Sequence, residues 1–116
     1  MRSHWYNKFA NAVSGVRLGI VGQSSFHVHL TLSFATLGMA YALDCEAWQW
    51  CVLGLCIGLV LSLELMNSAL EVLAKGVCTE HNELVGQALD IASGAVLVAS
   101  CVSAAIGFAI FLMQLS

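Results

Sequence analysis

Two carboxylates and an amide recur at helical spacing within one of the most apolar parts of this sequence. Glu64, Asn67 and Glu71 follow a long apolar run, and no charged residue lies between Glu46 and Glu64. Offsets of three and seven residues turn a helix through about 300° and 700°, so the three side chains share one face. An ionisable group in bilayer hydrocarbon costs about 2.5–3.5 kcal/mol on insertion scales, so each carboxylate indicates a functional site.

Three roles are open for this polar stripe together with Asp90, which lies near the start of the next apolar segment. The first is a buried hydrogen-bond network that only fixes helix register. The second is an ion or proton path, but no charge follows Asp90, so no polar track reaches the far side. The third is a site open to one membrane surface. There, carboxylates can hold Mg²⁺ with substrate phosphates, and a deeper carboxylate can take a proton from a lipid hydroxyl.

The composition predicts a membrane protein. The 116 residues are 59% apolar and 9% charged, they include no proline, and their mean hydropathy is +0.86. Soluble domains carry about 25% charged residues. We therefore expect a single all-α membrane-embedded domain over residues 1–116, because the chain has room for only one unit. No basic cluster indicates a nucleic-acid partner.

Three apolar segments predict the helices that would position the stripe. We expect transmembrane helices at 29–43, 47–74 and 85–115, because a span needs about 20 residues and its backbone must bond within the segment. The first segment is short. Residues 1–28 instead predict an amphipathic helix lying in the membrane interface. Its apolar side chains recur at helical spacing at Trp5, Phe9, Ala12, Val16 and Ile20.

The basic residues predict the orientation of these helices. Three of the four precede the first span, and Lys75 lies between the second and third, whereas the opposite loop at 44–46 has none. The positive-inside rule then places the N-terminus and the 75–84 loop in the cytoplasm. Glu71 and Asp90 would lie near the cytoplasmic interface, with Glu64 deeper.

Small residues in the third span raise the question of subunit contacts. Ala99, Ser103 and Gly107 follow one another at intervals of four, a spacing that lets membrane helices approach closely. Packing within one chain and packing between subunits both explain it. We expect oligomerisation, because three helices alone bury few polar stripes.

The cysteines and histidines of the sequence do not predict a metal site. The five cysteines show no CxxC or zinc spacing, so we expect those within spans to act as small hydrophobes. His27 and His29 have no evident carboxylate partner in the sequence, and a metal-binding pair is not predicted there.

Several motifs carry a resemblance to a known family. The run Glu64-Leu-Met-Asn-Ser-Ala-Leu-Glu71 fits the pattern E-x-x-N-[ST]-A-[IL]-E, and residues 88–97 read ALDIASGAVL where the family has K-D-x-x-x-x-A-V. Upstream, residues 9–16 are similar to F-x-x-A-x-x-G-[IL], and residues 26–29 read FHVH where the family often has F-R-I-H. Over nearly its whole length the sequence resembles the prokaryotic diacylglycerol kinase family, which includes the undecaprenol kinases.

The resemblance implies an architecture and a reaction. It implies a homotrimer of three-span subunits with a surface helix in the bacterial inner membrane. It also implies transfer of the γ-phosphoryl group of MgATP to a lipid hydroxyl, of diacylglycerol or undecaprenol, at the cytoplasmic interface. By the same resemblance, Glu64 would be the general base, Asn67 would orient reacting groups, and Asp90 would join the active-site network. Glu71 would bind Mg²⁺ and so the nucleotide phosphates, and Glu80 would face the nucleotide's sugar or base.

Two further positions, Gly15 and Asn82, match nucleotide-binding positions of the family. Asn82 is also one of four departures from the family pattern, because the family has histidine there. Gln23 stands where the family has a metal-binding glutamate, Leu89 where it has lysine, and Lys75 where it has aspartate or asparagine. Gln23 can still coordinate a metal through its amide oxygen, but it adds no charge.

Two interpretations of these departures follow. In the first, the site is rewired, and Lys75 supplies the cation that is lost at Leu89 across the short loop. In the second, the protein is an impaired or repurposed member that binds nucleotide or lipid without efficient transfer. The retained Glu64, Asn67, Glu71 and Asp90 favour activity.

Overall fold

All regular secondary structure in the described part of the chain is helical. The structure is a computed structural model that covers residues 2–22 and 24–116. Over these residues the chain forms four helices and no strand. They are α1 (Arg2–Gly22), α2 (Ser24–Ala42), α3 (Ala47–Val77) and α4 (Glu83–Leu115). The all-α class predicted from the sequence is confirmed.

The two longest helices are α3 and α4, with 31 and 33 residues. Within the described ranges, these two are long and apolar enough to cross a membrane, judged by length and composition. At 1.5 Å per residue each extends about 45–50 Å, which exceeds the roughly 30 Å of bilayer hydrocarbon. The residues at their ends can therefore extend beyond the hydrocarbon into the membrane surface.

The helix α2 contains most of the predicted first span but is less apolar. It has 19 residues, and within the described ranges it is not among the helices that meet the membrane-crossing criterion. Its two histidines and several hydroxyl side chains account for the lower hydropathy. Residues 1–28, predicted as one interfacial segment, are divided between α1 and the first turns of α2.

Three helices meet in a core next to the α2–α3 turn. Ala40 of α2, Leu53 of α3 and Ile110 of α4 are buried against one another. Gly107 adjoins this cluster, and a Cβ added there would lie 3.8 Å from Leu53 Cδ2. Because Ala99 and Gly107 are both buried within the single chain, packing inside the chain accounts for these two small residues.

Polar side chains fix the turn at this end of the molecule. Gln49 Oε1 accepts a hydrogen bond from the Glu46 amide at 2.7 Å, which holds the first turn of α3. Gln114 Nε2 of α4 donates to the carbonyl oxygens of Leu43 and Asp44, at 2.9 and 3.1 Å. Asp44 has φ 54, a left-handed conformation that aspartate tolerates better than most residues.

The opposite end of the α3–α4 pair is closed by a short loop whose last residue caps α4. Asn82 Oδ1 accepts from the amides of Leu84 and Val85, at 3.0 and 3.1 Å. These amides have no partner within the helix, so the asparagine satisfies them as an N-cap. The loop is thereby held at a defined entry into α4.

The first helix packs on the others only near its C-terminal end. Its aromatic side chains Trp5 and Phe9 are exposed, whereas Gly19 and Ile20 are half-buried. A Cβ at Gly19 would overlap the Leu65 side chain of α3, so glycine permits this close approach. The uncovered apolar side chains of α1 are available for the interfacial role that the sequence predicts.

Replacing Leu53 by alanine tests the three-helix core. Leu53 is 2% exposed, whereas Leu55 on the same helix is 75% exposed and serves as the matched control. We expect Leu53→Ala to lower the free energy of unfolding by about 2–5 kcal/mol, because the side chain leaves a cavity. Thermal unfolding in detergent, followed by circular dichroism, measures the change. Equal losses in Leu53→Ala and Leu55→Ala would contradict the assignment of the core.

Candidate functional site

The deepest polar group of the predicted stripe is the carboxylate of Glu64, which faces α2. Glu64 is 3% exposed although it lies in an apolar stretch of α3. Ser25 Oγ donates to its Oε1 at 2.5 Å, and His29 Nε2 lies 3.5 Å from its Oε2. Each carboxylate oxygen therefore has its own polar partner on the neighbouring helix, which offsets the cost of burying the group.

The next turn of α3 continues the stripe with Asn67 and Glu71. Asn67 is 6% exposed, and its Nδ2 donates to Glu71 Oε1 at 3.2 Å. Among the described residues, Asn67 Oδ1 is buried and has no hydrogen-bond partner. A buried acceptor left unpaired costs about 1–3 kcal/mol, so this oxygen is available to a bound group.

Glu71 opens onto a cavity of about 390 Å³ between the end of α3, the following loop and the start of α4, which we call the loop cavity. Its volume lies in the range typical of small-molecule sites. The side chains that give it its chemistry come from all three segments: Glu71, Lys75, Glu80, His81, Asn82 and Leu89. The loop cavity thus combines two carboxylates with one lysine.

Lys75 lies at the junction of two cavities. It lines the loop cavity and also a cavity of about 740 Å³ between α1 and α3, whose wall includes Gly15. The side chain is exposed and follows Glu71 by one helical turn. Because a lysine carries a point charge on a flexible stem, it can reach a ligand from this position. Leu89 follows the loop in the sequence and also lines the loop cavity, from the start of α4.

The structure brings most of the described site residues together and leaves Asp90 without a polar contact to them. Glu71, Lys75, Glu80 and Asn82 surround the loop cavity, with Glu64 and Asn67 deeper along α3, and Gly15 lies in the neighbouring α1–α3 cavity. Asp90 is exposed, and among the described residues no side-chain hydrogen bond or ion pair reaches it. Gln23, predicted as a metal ligand, lies outside the described residues.

The structure adds two residues that the sequence did not assign to the site, Ser25 and His29. The expectation that His29 has no carboxylate partner was wrong, because its ring contacts Glu64. One signal could have identified them. Ser25, His29 and Ser33 are spaced by four, so they form a polar face on α2. The facing helix could not be deduced from that spacing.

The donor set fits a metal ion that arrives with phosphates better than a resident one. Over residues 2–22 and 24–116, no three His, Cys, Asp or Glu side chains group as a metal site. Mg²⁺ usually binds one or two carboxylates together with substrate phosphates and keeps several waters. Glu71 beside an open cavity, with the unpaired oxygen of Asn67 next along the helix, fits this mode of binding.

Comparison with known proteins gives the family. Residues 10–111 match the model of the family described as prokaryotic diacylglycerol kinase. The undecaprenol kinase of Bacillus subtilis (strain 168) is 30% identical over 113 residues, which cover 97% of this chain and 92% of that protein. A diacylglycerol kinase of Synechocystis sp. is 36% identical over 108 residues, covering 92% of this chain and 62% of that protein.

A third relative is also a bacterial protein. The diacylglycerol kinase of Escherichia coli (strain K12) is 32% identical over 89 residues, covering 77% of this chain and 73% of that protein. These relatives are all named as kinases of lipids. The family match spans the described stripe and the loop cavity together. The chain therefore belongs to the prokaryotic diacylglycerol kinase family.

Proposed function

We propose that the protein is an integral membrane lipid kinase that transfers the γ-phosphoryl group of ATP to a lipid hydroxyl, of diacylglycerol or undecaprenol, at the cytoplasmic interface. The observation that carries this proposal is the stripe Glu64–Asn67–Glu71, of which Glu64 and Asn67 are buried and the half-buried Glu71 lines the loop cavity. A lipid alcohol would approach from the apolar side and a nucleotide from the loop side. The names of the relatives support the same reaction class.

Glu64 is the proposed general base. A phosphoryl transfer needs mainly positioning and charge neutralisation, with a group that accepts the proton of the attacking hydroxyl. Glu64 is buried, Ser25 Oγ of α2 donates a hydrogen bond to its Oε1, and His29 Nε2 lies 3.5 Å from its Oε2. A carboxylate fixed in this way presents its remaining lone pairs in a constant direction. Asn67, one turn further, would orient the reacting groups.

The loop cavity is the proposed site of the nucleotide phosphates. Glu71 would hold Mg²⁺, which neutralises phosphate charge during transfer. Glu80 and Asn82 would face the nucleotide, as would Gly15 from α1, where a Cβ would meet no atom within 4 Å. Gln23 would add a neutral oxygen ligand. Asp90, which directly follows the cavity residue Leu89, would complete the network.

Lys75 is proposed to replace the lysine that the family has at the position of Leu89. Both residues line the loop cavity, one from the end of α3 and the other from the start of α4. An ammonium group at either position can therefore reach the same space. The exchange keeps one cation beside the carboxylates and changes only the helix that supplies it.

The proposed membrane arrangement uses α2 as a third span beside α3 and α4, with α1 in the interface. Homotrimer formation would cover part of the large exposed apolar surface of the three helices. The N-terminus and the loop cavity would lie on the cytoplasmic side. All four basic residues of the sequence lie in α1 or at the end of α3, and the positive-inside rule places such residues in the cytoplasm.

Replacing Glu64 by glutamine tests the general base. We expect kcat for lipid phosphorylation to fall on the order of 10²-fold or more in Glu64→Gln, since the amide cannot take the proton. The assay follows label from γ-labelled ATP and Mg²⁺ into diacylglycerol or a polyprenol, with the protein in detergent. The control is Glu83→Gln, an exposed glutamate in the first turn of α4, which should keep the normal rate. An unchanged rate in Glu64→Gln would reject this role.

Replacing Glu71 by glutamine tests the metal and nucleotide site. We expect KM for MgATP to rise on the order of tenfold or more, equivalent to a loss of about 1.4 kcal/mol in binding free energy. Chelation of Mg²⁺ should stop transfer by the unmodified protein. A Glu71→Gln variant with an unaltered KM for MgATP would place the metal elsewhere.

Replacing Lys75 by alanine tests the exchanged cation. Loss of an electrostatic partner of the transferred group typically lowers kcat by about 10²–10³-fold, and we expect that range for Lys75→Ala. Adding Leu89→Lys to that variant should restore much of the rate. Lys8→Ala is the control, since Lys8 lies 5.4 Å over the Trp5 ring on exposed α1. A normal rate in Lys75→Ala would reject the exchange.

A catalytically impaired family member would give different results in the same assay. The unmodified chain would transfer no label to any lipid, and the double variant Gln23→Glu, Leu89→Lys would gain activity. That pair of results would reject the proposed function of the natural sequence and support a binding role instead.

A further inference from the structure

One helical turn of α2 supplies polar contacts to both oxygens of Glu64. Ser25 Oγ donates to Oε1 at 2.5 Å, and His29 Nε2 lies 3.5 Å from Oε2. The two partners differ in chemistry. A serine hydroxyl can only donate a hydrogen bond to a carboxylate, whereas an imidazole can donate a proton or accept one.

We propose that His29 is a positioning residue that acts on Glu64 by taking up the proton that Glu64 has received from the lipid hydroxyl. This inference rests on the proposed function, because it needs Glu64 to act as the base. It assigns the contact between α2 and α3 a role in each turnover, beyond holding the two helices in register.

The contacts leave Glu64 free to act on a substrate. A carboxylate offers about four lone-pair sites, and the hydrogen bond from Ser25 occupies one of them on Oε1, so the other sites remain for a substrate. The 3.5 Å separation from His29 exceeds the usual hydrogen-bond range of about 2.7–3.2 Å. Catalytic hydrogen bonds are often long without substrate and shorten in the complex, so a shared proton would draw the ring closer.

The proton balance of the step is complete. The lipid O–H bond breaks as the lipid oxygen bonds to the γ-phosphorus, and the bond to ADP breaks with its electron pair left on ADP. The proton goes to a Glu64 oxygen and then to the Nε2 lone pair of neutral His29, which regenerates the carboxylate. The resulting imidazolium loses one proton to water, and the neutral ring returns to the tautomer that has its proton on Nδ1 and a lone pair on Nε2.

Burial explains why Glu64 needs such a partner. Its side chain is only 4% exposed, whereas that of His29 is 22% exposed, so the ring has the better access to water. His29 also lines a cavity of about 550 Å³ between α2, α3 and α4. Among the described residues, the other titratable side chains lining this cavity are Cys56 of α3 and Cys101 of α4. Glu64 is therefore the charged group that contacts the ring.

Glutamine at position 29 tests proton uptake. Its amide keeps a polar group beside Glu64 but cannot accept the proton, so His29→Gln should lower kcat at least tenfold and leave KM for MgATP and lipid within twofold. His29→Leu should lower kcat further. His27→Gln is the matched control on the same helix, since His27 is exposed two residues earlier.

A comparison with Ser25→Ala provides a readout that separates proton uptake from a merely structural role, because that change removes only a hydrogen bond to Glu64. If His29 accepts the proton, kcat should fall further in His29→Gln than in Ser25→Ala.

The outcomes separate this inference from the proposed function. Lack of transfer by the unmodified protein would reject the proposed function and this inference with it. Transfer that is abolished in Glu64→Gln but keeps its rate in His29→Gln would overturn the role of His29 alone. If His29→Gln melts early, His29→Asn takes its place, and an unchanged kcat in that variant also overturns the proposal.

Discussion

The burial of one carboxylate sets the requirements for the rest of the structure. Glu64 lies in an apolar helix at a depth where an unpaired charge would be very unfavourable. The polar partners it needs come from Ser25 and His29 of α2. This requirement fixes α2 against α3 in one register and one rotation. The same requirement keeps the middle of the stripe facing inward, away from the surrounding medium.

The two ends of the α3–α4 pair differ in structure, since one is packed and apolar and the other is open and polar. At the α2–α3 turn, Leu53 and its neighbours form a packed apolar cluster, and Gln114 ties α4 to the turn. At the other end, Glu71 and the loop surround an open polar cavity. A rigid end beside an accessible one is an arrangement that holds catalytic groups in place while a ligand enters and leaves. The helices α3 and α4 join the two ends.

The sequence was sufficient for the parts of the site that lie on one helix. The spacing of Glu64, Asn67 and Glu71 predicted a single polar face, because helical periodicity alone determines it. Contacts between helices could not be obtained in this way, since they depend on how two helices pack. For that reason His29 was assigned no carboxylate partner. The cap made by Asn82 was also unforeseen, because the family pattern directed attention to a binding role at that position.

Asn82 meets two demands at once, since its side chain holds the first turn of α4 and borders the loop cavity. A change at this position toward the histidine of the family would exchange a good helix cap for a poorer one. The departure from the family pattern at Asn82 therefore affects both the lining of the loop cavity and the stability of α4. A single exchange of Asn82 for histidine would therefore alter the wall of the loop cavity and weaken the start of α4 at the same time.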